Sequence, residues 1–171
     1  MHVRYISDND YDKIAELYVH NHRTTYRNIL SEDYFKSLTV EGARERWTKY
    51  SDDANSKIWV AYDNDDFLGF CACKKDNKLE DTWYIDSLHV SEKARGRGIG
   101  TKLIETAGRY ACKSGYKSMS ICVVKGNDKA KNLYLRLGAL PFNEFEDDFL
   151  SERTNSEKLL WNKTDVFLSD D

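Results

Sequence analysis

The first third of the chain has the hydrophobic period of helices. The run YDKIAELYVHNHRTTY repeats inward positions every three or four residues, and Ser7 or Asp8 precedes it as a candidate N-cap. The segment from Ser31 to Tyr50 predicts one or two further helices, with Ser31 and Thr39 as caps. Ile14, Leu17, Tyr18 and Asn21 fall at helical spacing in the first run, and the expected inward anchors of the second are Tyr34, Phe35, Leu38 and Trp47.

Further along the chain the hydrophobic period changes to the alternation of strands. KIWVAY and FLGFCACKK flank the polar turn DNDD and predict a hairpin, and TWYIDSLHV is a third extended run, ending at Val90. Helical spacing returns from Ile99 to Lys113, where Gly115 ends it. YKSMSICVV predicts a strand, NDKAKNLYLRLG a helix ending at Gly138, and ALPFNEF and EKLLWN two more strands.

This order of elements predicts an α/β (α+β) fold. Strands that alternate with helices, with hairpins at both ends, favour a mixed sheet of about six to seven strands with helices on both faces. A chain of this length forms one domain, residues 1–171, because it buries roughly 70% of the surface exposed on unfolding. We divide it into a helical segment at about 8–50, a core at about 57–142 and C-terminal strands at about 139–167.

Composition narrows the function classes. Apolar residues make up 40% and charged residues 32% of the chain, which is typical of a globular protein. The net charge of -3 and the dispersed Lys and Arg residues argue against nucleic-acid binding. No apolar run approaches the ~20 residues that cross a bilayer, and no signal segment follows Met1, so we expect a cytoplasmic protein without a membrane partner.

The cysteines lack the paired spacing of a zinc site. A chain of this length also does not need disulfide bonds to stabilise its fold. We therefore expect no metal and four free thiols. Cys71 and Cys73 share one face of a strand, where packing is the expected role. The others are Cys112 and Cys122.

The stretch Arg95-Gly-Arg-Gly-Ile-Gly100 lies between an extended run and a helical one. Its three glycines lack Cβ atoms, so several backbone N–H groups can converge on one anion at the helix start, beside Arg95 and Arg97. A dinucleotide fingerprint needs a glycine at position 101, which is Thr101, and a Walker loop needs one at position 95. The spacing therefore predicts a phosphate loop of another kind.

ARGRGIGTKLI, after YIDSLHVSEK, resembles the central motif of the GNAT superfamily of acetyl-CoA-dependent N-acetyltransferases, written Gln/Arg-x-x-Gly-x-Gly/Ala. Arg95, Gly98 and Gly100 fill its fixed positions. Asn127 and Tyr134 match an Asn and a Tyr that the family carries at the following helix. TTYRNILSEDYFKSLTVEGARERW further resembles a bacterial branch in which this segment forms the acceptor side of the cleft, so the likeness covers nearly the whole chain.

The resemblance implies a splayed sheet, in which the strands ending at Val90 and at Val124 part to admit the pantetheine arm of acetyl-CoA. It implies acetyl-CoA as co-substrate, with an acyl-CoA-binding core at about 57–142 and no metal. The residues it assigns to acetyl-CoA are Leu88, His89, Val90, Arg95, Gly96, Arg97, Gly98, Ile99, Gly100, Thr101, Asn127, Ala130 and Tyr134.

Acetyl transfer to an amine needs a free lone pair, and an amine with a pKa of ~10.4 costs roughly 4.6 kcal/mol to deprotonate at pH 7. Asp86 lies where the family often has a carboxylate, usually Glu, and is the candidate base, water relay or positioning group. Tyr84 and His89 are weaker substitutes, and alternation puts His89 on the opposite face from Asp86. By resemblance, Tyr134 is the acid that protonates the departing thiolate.

The expected reaction is direct attack of a primary amine, on a small molecule or a peptide, in a ternary complex. Polyamines, aminoglycoside-like amines, amino acids and peptide N-termini all remain open, and longer acyl-CoA donors would use the same loop. Candidate acceptor residues are Tyr26, Arg27 and Tyr84, and His20, His22 and Thr25 lie on the same wall. An acidic cluster either attracts a cationic amine or is a solvated face; it consists of Glu144, Glu146, Asp147 and Asp148.

One alternative is a non-catalytic acyl-CoA-binding regulatory module, because Asp86 replaces the usual Glu. By analogy with such families, we also hypothesise that the protein forms a homodimer.

Overall fold

The computed structural model describes residues 1–149 and 152–168. In chain order its elements are β1 (His2–Tyr5), α1 (Tyr11–Thr25), α2 (Glu32–Ser37), α3 (Val40–Asp52), β2 (Ser56–Asp63), β3 (Asp66–Lys75), β4 (Thr82–Val90), α4 (Ile99–Lys113), β5 (Ser118–Val124), α5 (Asp128–Arg136), β6 (Leu140–Phe149) and β7 (Glu152–Trp161). The predicted elements are confirmed, and the last two strands are longer than their apolar cores suggested.

The strands form one sheet in the order β1-β2-β3-β4-β5-β7-β6. Only β4 and β5 pair in parallel among the described strands; the other neighbours are antiparallel. The helices α1 to α3 pack on one face of the sheet, and α4 and α5 pack on the other. The predicted α/β mixed sheet with helices on both faces is therefore confirmed.

The predicted caps of α2 and α3 are present, whereas α1 begins at Tyr11 with Asp10 as its N-cap, so the prediction of Ser7 or Asp8 is wrong. The Ser31 hydroxyl accepts a hydrogen bond from the Tyr34 N–H at 3.2 Å, and the Thr39 hydroxyl accepts one from the Gly42 N–H at 3.1 Å. Both are N-caps that satisfy otherwise unpaired backbone donors. Leu38 has extended backbone angles between the two caps, which is why the segment forms two helices rather than one.

Each face of the sheet has its own apolar core. Trp47 is fully buried at the centre of the core beneath α1 and α3. Beneath α4, the sulfur atoms of Cys71 and Cys73 lie 3.5 Å apart as buried free thiols. Their predicted role in packing, without disulfides, is confirmed.

The sheet opens between β4 and β5. The two strands pair from Thr82 to Ile85, and the last matched pair is Ile85 with Ile121. Beyond that point β4 stays paired with β3 as far as Val90, while β5 stays paired with β7 as far as Val124. The two strand ends therefore part, as the resemblance implies.

A buried ion pair holds β7 to the loop that follows β3. The Lys158 Nζ atom lies 2.5 Å from the Asp76 Oδ2 atom, and the two side chains are only 8% and 3% exposed. The Ser120 hydroxyl donates to the same oxygen at 2.7 Å. Burial alone raises the pKa of Asp76, but the hydrogen bonds from Lys158 and Ser120 outweigh it and hold that pKa below its ordinary value.

Removing the carboxylate should destabilise the fold strongly. Asp76→Ala leaves the Lys158 cation buried without its counter-ion, which costs about 3–5 kcal/mol of the free energy of unfolding. Because folding lowers the pKa of Asp76, the wild-type pair contributes fully above pH ~3.9 and loses its contribution as the pH falls below that value. Urea unfolding at several pH values measures both effects.

The matched control is Asp12→Ala, since Asp12 forms an exposed pair with Arg44 at 2.6 Å. Exposed pairs contribute roughly 0–1 kcal/mol. Equal losses in the two variants would contradict the structural role of the buried pair.

Candidate functional site

The glycine loop ends in a helix N-terminus. Gly98 is the N-cap of α4 and has a φ of +77°, in the left-handed region that side chains rarely adopt. The first N–H groups of α4, from Ile99 onward, have no partner within the helix and carry its positive dipole end. The loop therefore presents backbone donors to an anion, as its sequence predicts.

These donors line a groove of about 970 Å³, here called the loop groove. Its walls come from α1, from β4 and the loop after it, and from the starts of α4 and α5. Of the residues assigned to acetyl-CoA, it is lined by Leu88, His89, Val90, Arg95, Gly96, Gly98, Ile99, Gly100, Thr101, Asn127, Ala130 and Tyr134. Whether they bind acetyl-CoA stays a prediction.

The Arg97 side chain takes another direction. Its Nη2 atom pairs with the Asp63 carboxylate at 2.9 Å, at the end of β2, and the residue does not line the loop groove. The side-chain charge that we expected to face the anion is thus bound elsewhere.

A residue missed in the sequence, Asn21, joins α1 to the loop groove. Its buried side chain donates to the Val90 carbonyl oxygen at 3.1 Å and accepts from the Arg95 Nη2 atom at 3.2 Å. Asn21 thereby fixes the direction of Arg95 and the end of β4. Its one signal in the sequence is a polar side chain on the apolar stripe of α1.

A β-bulge sits in β4 at Asp86. Ser87 pairs with Ala72 and Ile85 with Cys73, so Asp86 has no opposite residue on β3. An extra residue of this kind resets the alternation of side chains along a strand.

The bulge changes which residues share a face. The His89 ring stacks on Phe70 with centroids 5.2 Å apart, on the side of α1, which is also the side of Asp86 and Tyr84. The prediction that His89 lies on the opposite face from Asp86 is therefore wrong, because strict alternation does not hold across the bulge.

A second cavity of about 280 Å³ lies on this face and is here called the inner cavity. It is lined by Tyr18, His22, Tyr26, Arg46, Tyr84, Ile85, Asp86, Ser87, Leu88, His89, Ile121, Cys122, Val123, Val124, Asn127, Ala130, Tyr134, Asp147 and Ser156. Residues that line both spaces are Tyr26, Leu88, His89, Asn127, Ala130 and Tyr134. The two spaces thus meet where β4 and β5 part.

Tyr134 stands at this junction. It projects from α5, whose N-cap is Asn127, and the Asn127 side chain accepts from the Ala130 N–H at 3.4 Å. Burial raises the pKa of Tyr134 well above its ordinary value. The phenol therefore stays protonated at neutral pH and is a hydrogen-bond donor there.

Two histidines in the inner cavity are uncharged at neutral pH. Burial, with the charges of Arg46 and Arg95, lowers the pKa of His89 to about 3. Burial, with His89 and Arg46, lowers the pKa of His22 likewise. The His22 Nδ1 atom lies 2.7 Å from the Tyr34 hydroxyl, a hydrogen bond that holds the ring in place.

Asp86 is flanked by two cations. The Arg46 Nη2 atom lies 3.6 Å from its Oδ2 atom, and the Lys74 Nζ atom lies 3.7 Å from its Oδ1 atom. The side chain is 13% exposed, and its Oδ2 atom is buried with no hydrogen bond to the described residues. This carboxylate oxygen can accept a hydrogen bond from an amine or a water.

Only some of the other candidate acceptor residues line the inner cavity. Tyr26 and Tyr84 line the inner cavity, whereas Arg27 is exposed and lines neither space. Of the acidic cluster, Asp147 lines the inner cavity. Glu144 and Glu146 pair with Lys125 and Arg153, and the side chain of Asp148 lies outside the described residues.

Within the described residues, no helix is long and apolar enough to cross a membrane, and no group of three or more His, Cys, Asp or Glu residues is placed to hold a metal ion.

Comparison with known proteins gives a family match. The model of the acetyltransferase (GNAT) family matches residues 23–139. Thialysine N-epsilon-acetyltransferase of Mus musculus is 37% identical over 76 residues, 44% of this chain and 44% of that enzyme. This chain thus matches less than half the length of that relative. YhfO of Bacillus subtilis, an uncharacterized N-acetyltransferase, is 26% identical over 81% of this chain and 89% of its own.

Solved structures share the fold. A variant of spermidine N-acetyltransferase from Vibrio cholerae superimposes with a TM-score of 0.73 and 17% identity, covering 99% of this chain and 98% of its own. The acetyltransferase yncA from Salmonella typhimurium, solved with its cofactor acetyl-CoA, has a TM-score of 0.73 and 16% identity, over 95% and 93% of the two chains. At these identities the likeness shows the fold alone.

Proposed function

This chain belongs to the acetyltransferase (GNAT) family of acyl-CoA-dependent N-acetyltransferases, and we propose that it transfers an acetyl group from acetyl-CoA to a primary amine in a ternary complex. The observation that carries the proposal is the meeting of the loop groove and the inner cavity at Tyr134. A donor and an acceptor can enter from different sides and react without a covalent enzyme intermediate. Holding two reactants together can supply ~7–11 kcal/mol of the barrier.

The loop groove fits the diphosphate of acetyl-CoA. Gly98 leaves the space above the loop open, since a Cβ built there meets nothing within 4 Å. Arg95 lines the groove as a cation, and the α4 N-terminus supplies backbone donors. When bound, acetyl-CoA supplies the acetyl thioester.

The open edge of β4 can bind the rest of the donor. Beyond Ile85 this edge has no strand partner among the described residues, so its backbone groups are available to the pantetheine arm. An N–H of Leu88 to Val90 directed at the thioester carbonyl would stabilise the charge that develops on its oxygen.

Attack by a neutral amine leaves nitrogen with one proton too many and sulfur with one too few. We assign the sulfur side to Tyr134, whose protonated phenol donates to the sulfur as the carbon–sulfur bond breaks. We assign to Asp86 the earlier proton, which it takes from the acceptor ammonium through a water to free the lone pair that attacks; a water is needed because the Asp side chain is shorter than that of Glu. The proton that nitrogen sheds after the attack returns through solvent to the Tyr134 phenolate.

The acceptor in this proposal is a primary amine on a small molecule or a peptide. The names of two similar proteins, thialysine N-epsilon-acetyltransferase and spermidine N-acetyltransferase, support an amine acceptor. A homodimer, a cytoplasmic location and the lack of nucleic-acid or membrane partners stay predictions, as does the division of the chain into an acceptor-side helical segment and an acyl-CoA-binding core.

Blocking the loop should abolish donor binding. Gly98→Glu places bulk and negative charge where the diphosphate would lie, so we expect coenzyme A affinity to fall at least about 100-fold in calorimetry. The matched control is Gly115→Glu, because Gly115 has a similar φ of +84° and equally open space but lies at the far end of α4. Affinity that is unchanged in Gly98→Glu, or equally lost in both variants, would contradict the loop assignment.

Removing the Tyr134 hydroxyl should slow the chemical step. Tyr134→Phe is expected to lower kcat about 10²–10⁴-fold while coenzyme A affinity stays the same. A panel of amines with detection of the released thiol measures turnover. Unchanged kcat would exclude the proton-donor role, and wild-type protein that binds coenzyme A but acetylates no amine would be a binding module.

The pH dependence of kcat tests the role of Asp86. If Asp86 removes the amine proton, the loss of kcat in Asp86→Asn shrinks as the pH rises towards ~10.4, because more of the amine is already neutral. The comparison variant is Asp147→Asn, which removes another negative charge from the inner cavity. A loss in Asp86→Asn that is the same at every pH would show a positioning role instead.

A further inference from the structure

Three polar atoms without partners lie close together around Asp86; of their residues, Arg46 and Asp86 form one wall of the inner cavity and Tyr50 does not line it. The Arg46 Nε atom, the Tyr50 hydroxyl and the Asp86 Oδ2 atom are buried, and none of them has a hydrogen bond among the described residues. Arg46 and Tyr50 are one turn apart on α3, and both lie close to Asp86. Buried polar atoms are almost always paired, so this wall has the hydrogen-bonding capacity for a ligand.

Arg46 holds most of that capacity. A guanidinium has five N–H donors, and no described residue accepts a hydrogen bond from Arg46; its contact with Asp86, at 3.6 Å, is too long. The side chain is oriented instead by rings, with its guanidinium carbon 5.1 Å from the Trp47 centroid and 5.8 Å from the Tyr18 centroid. The side chain is 38% exposed, lines the cavity, and has a buried Nε donor without a partner among the described residues.

The charge on this wall favours an anion. Arg46, which lines the cavity, and Lys74, which does not, are two cations beside the single carboxylate of Asp86. His22 and His89 add no charge at neutral pH, because burial lowers the pKa of each. Lys158, the cation nearest to the Tyr84 ring on the β7 side, is matched by Asp76.

Negative charge is found on the opposite side of the inner cavity. Asp147 lines it from β6, is exposed, and has no ion pair among the described residues. A second ammonium at the Arg46 wall, as in a polyamine, would be repelled by Arg46 and Lys74, and Asp147 attracts an ammonium only on the opposite side.

We propose that the acceptor is a small amine that also carries a carboxylate, an amino acid or a close analogue, and that Arg46 binds this carboxylate. The guanidinium fork matches a carboxylate in a bidentate way. The size of the cavity agrees with a small ligand, since about 280 Å³ lies just below the roughly 300–1,000 Å³ that ligand pockets span. The part of this inference that says the amine is acetylated rests on the proposed function. The part that says Arg46 binds a carboxylate does not.

Matched pairs of amines test the inference by binding. L-lysine and cadaverine differ only in the carboxylate, as do L-leucine and 3-methylbutylamine. With coenzyme A bound, calorimetry on the wild-type protein should show at least one amino acid binding about tenfold or more tightly than its decarboxylated partner. Arg46→Gln should remove this difference, and Arg46→Lys, which keeps the charge but loses the fork, should restore part of it.

The matched control is Arg44→Gln, because Arg44 lies on the same helix but is exposed and pairs with Asp12. It should leave the preference of the wild-type protein intact. Tighter binding of the decarboxylated partners, or of spermidine, overturns the inference, and so does an equal loss for both members of a pair in Arg46→Gln.

Turnover separates this inference from the proposed function. With active protein, the ratio of kcat/KM values within each pair should follow the binding preference and collapse in Arg46→Gln. If no amine is acetylated, the proposed function fails, while the binding ratios still decide whether Arg46 recognises a carboxylate.

Discussion

The site depends on the point at which the parallel pairing of β4 and β5 stops. Ile85 and Ile121 form the last pair, and each strand is then held by its other neighbour alone. Antiparallel ladders with β3 and β7 keep both strands extended, so the gap between them is a fixed feature of the sheet. The buried pair of Lys158 and Asp76 supports it, because it fastens β7 to the loop before β4. The open backbone edge, the loop groove and the inner cavity all border this gap.

The bulge at Asp86 lies directly after the last parallel pair, and it determines which side chains face the gap. Without the extra residue, strict alternation would put His89 on the α4 face, in an apolar core already filled by α4. With it, Asp86 and His89 both border the inner cavity. One irregularity in register thus determines which side chains meet an acceptor, while Leu88 and Val90 pack on the core beneath α4 and anchor the strand.

Local patterns were enough to predict much of the fold and of the donor side. Helix α4 begins and ends where the apolar spacing and the glycine loop indicated, since caps and periodicity depend on near neighbours. The acceptor side was harder because its contacts are long-range: Asn21 bonds to a carbonyl 69 residues away, and Arg46 reaches Asp86 from another element. The bulge follows from strand pairing, which no local pattern encodes.

The first helix connects the two halves of the site. Asn21 is tied to Arg95 in the loop groove, and the next residue, His22, lines the inner cavity. At the end of the helix Tyr26 lines both spaces, so a shift of α1 would move a wall of each at once. Coupling of this kind needs an element with two arrangements, and the firm packing of α1 on α3 and on the sheet opposes a second one. The structure therefore favours a preformed site, in which donor and acceptor meet because the walls are already in position.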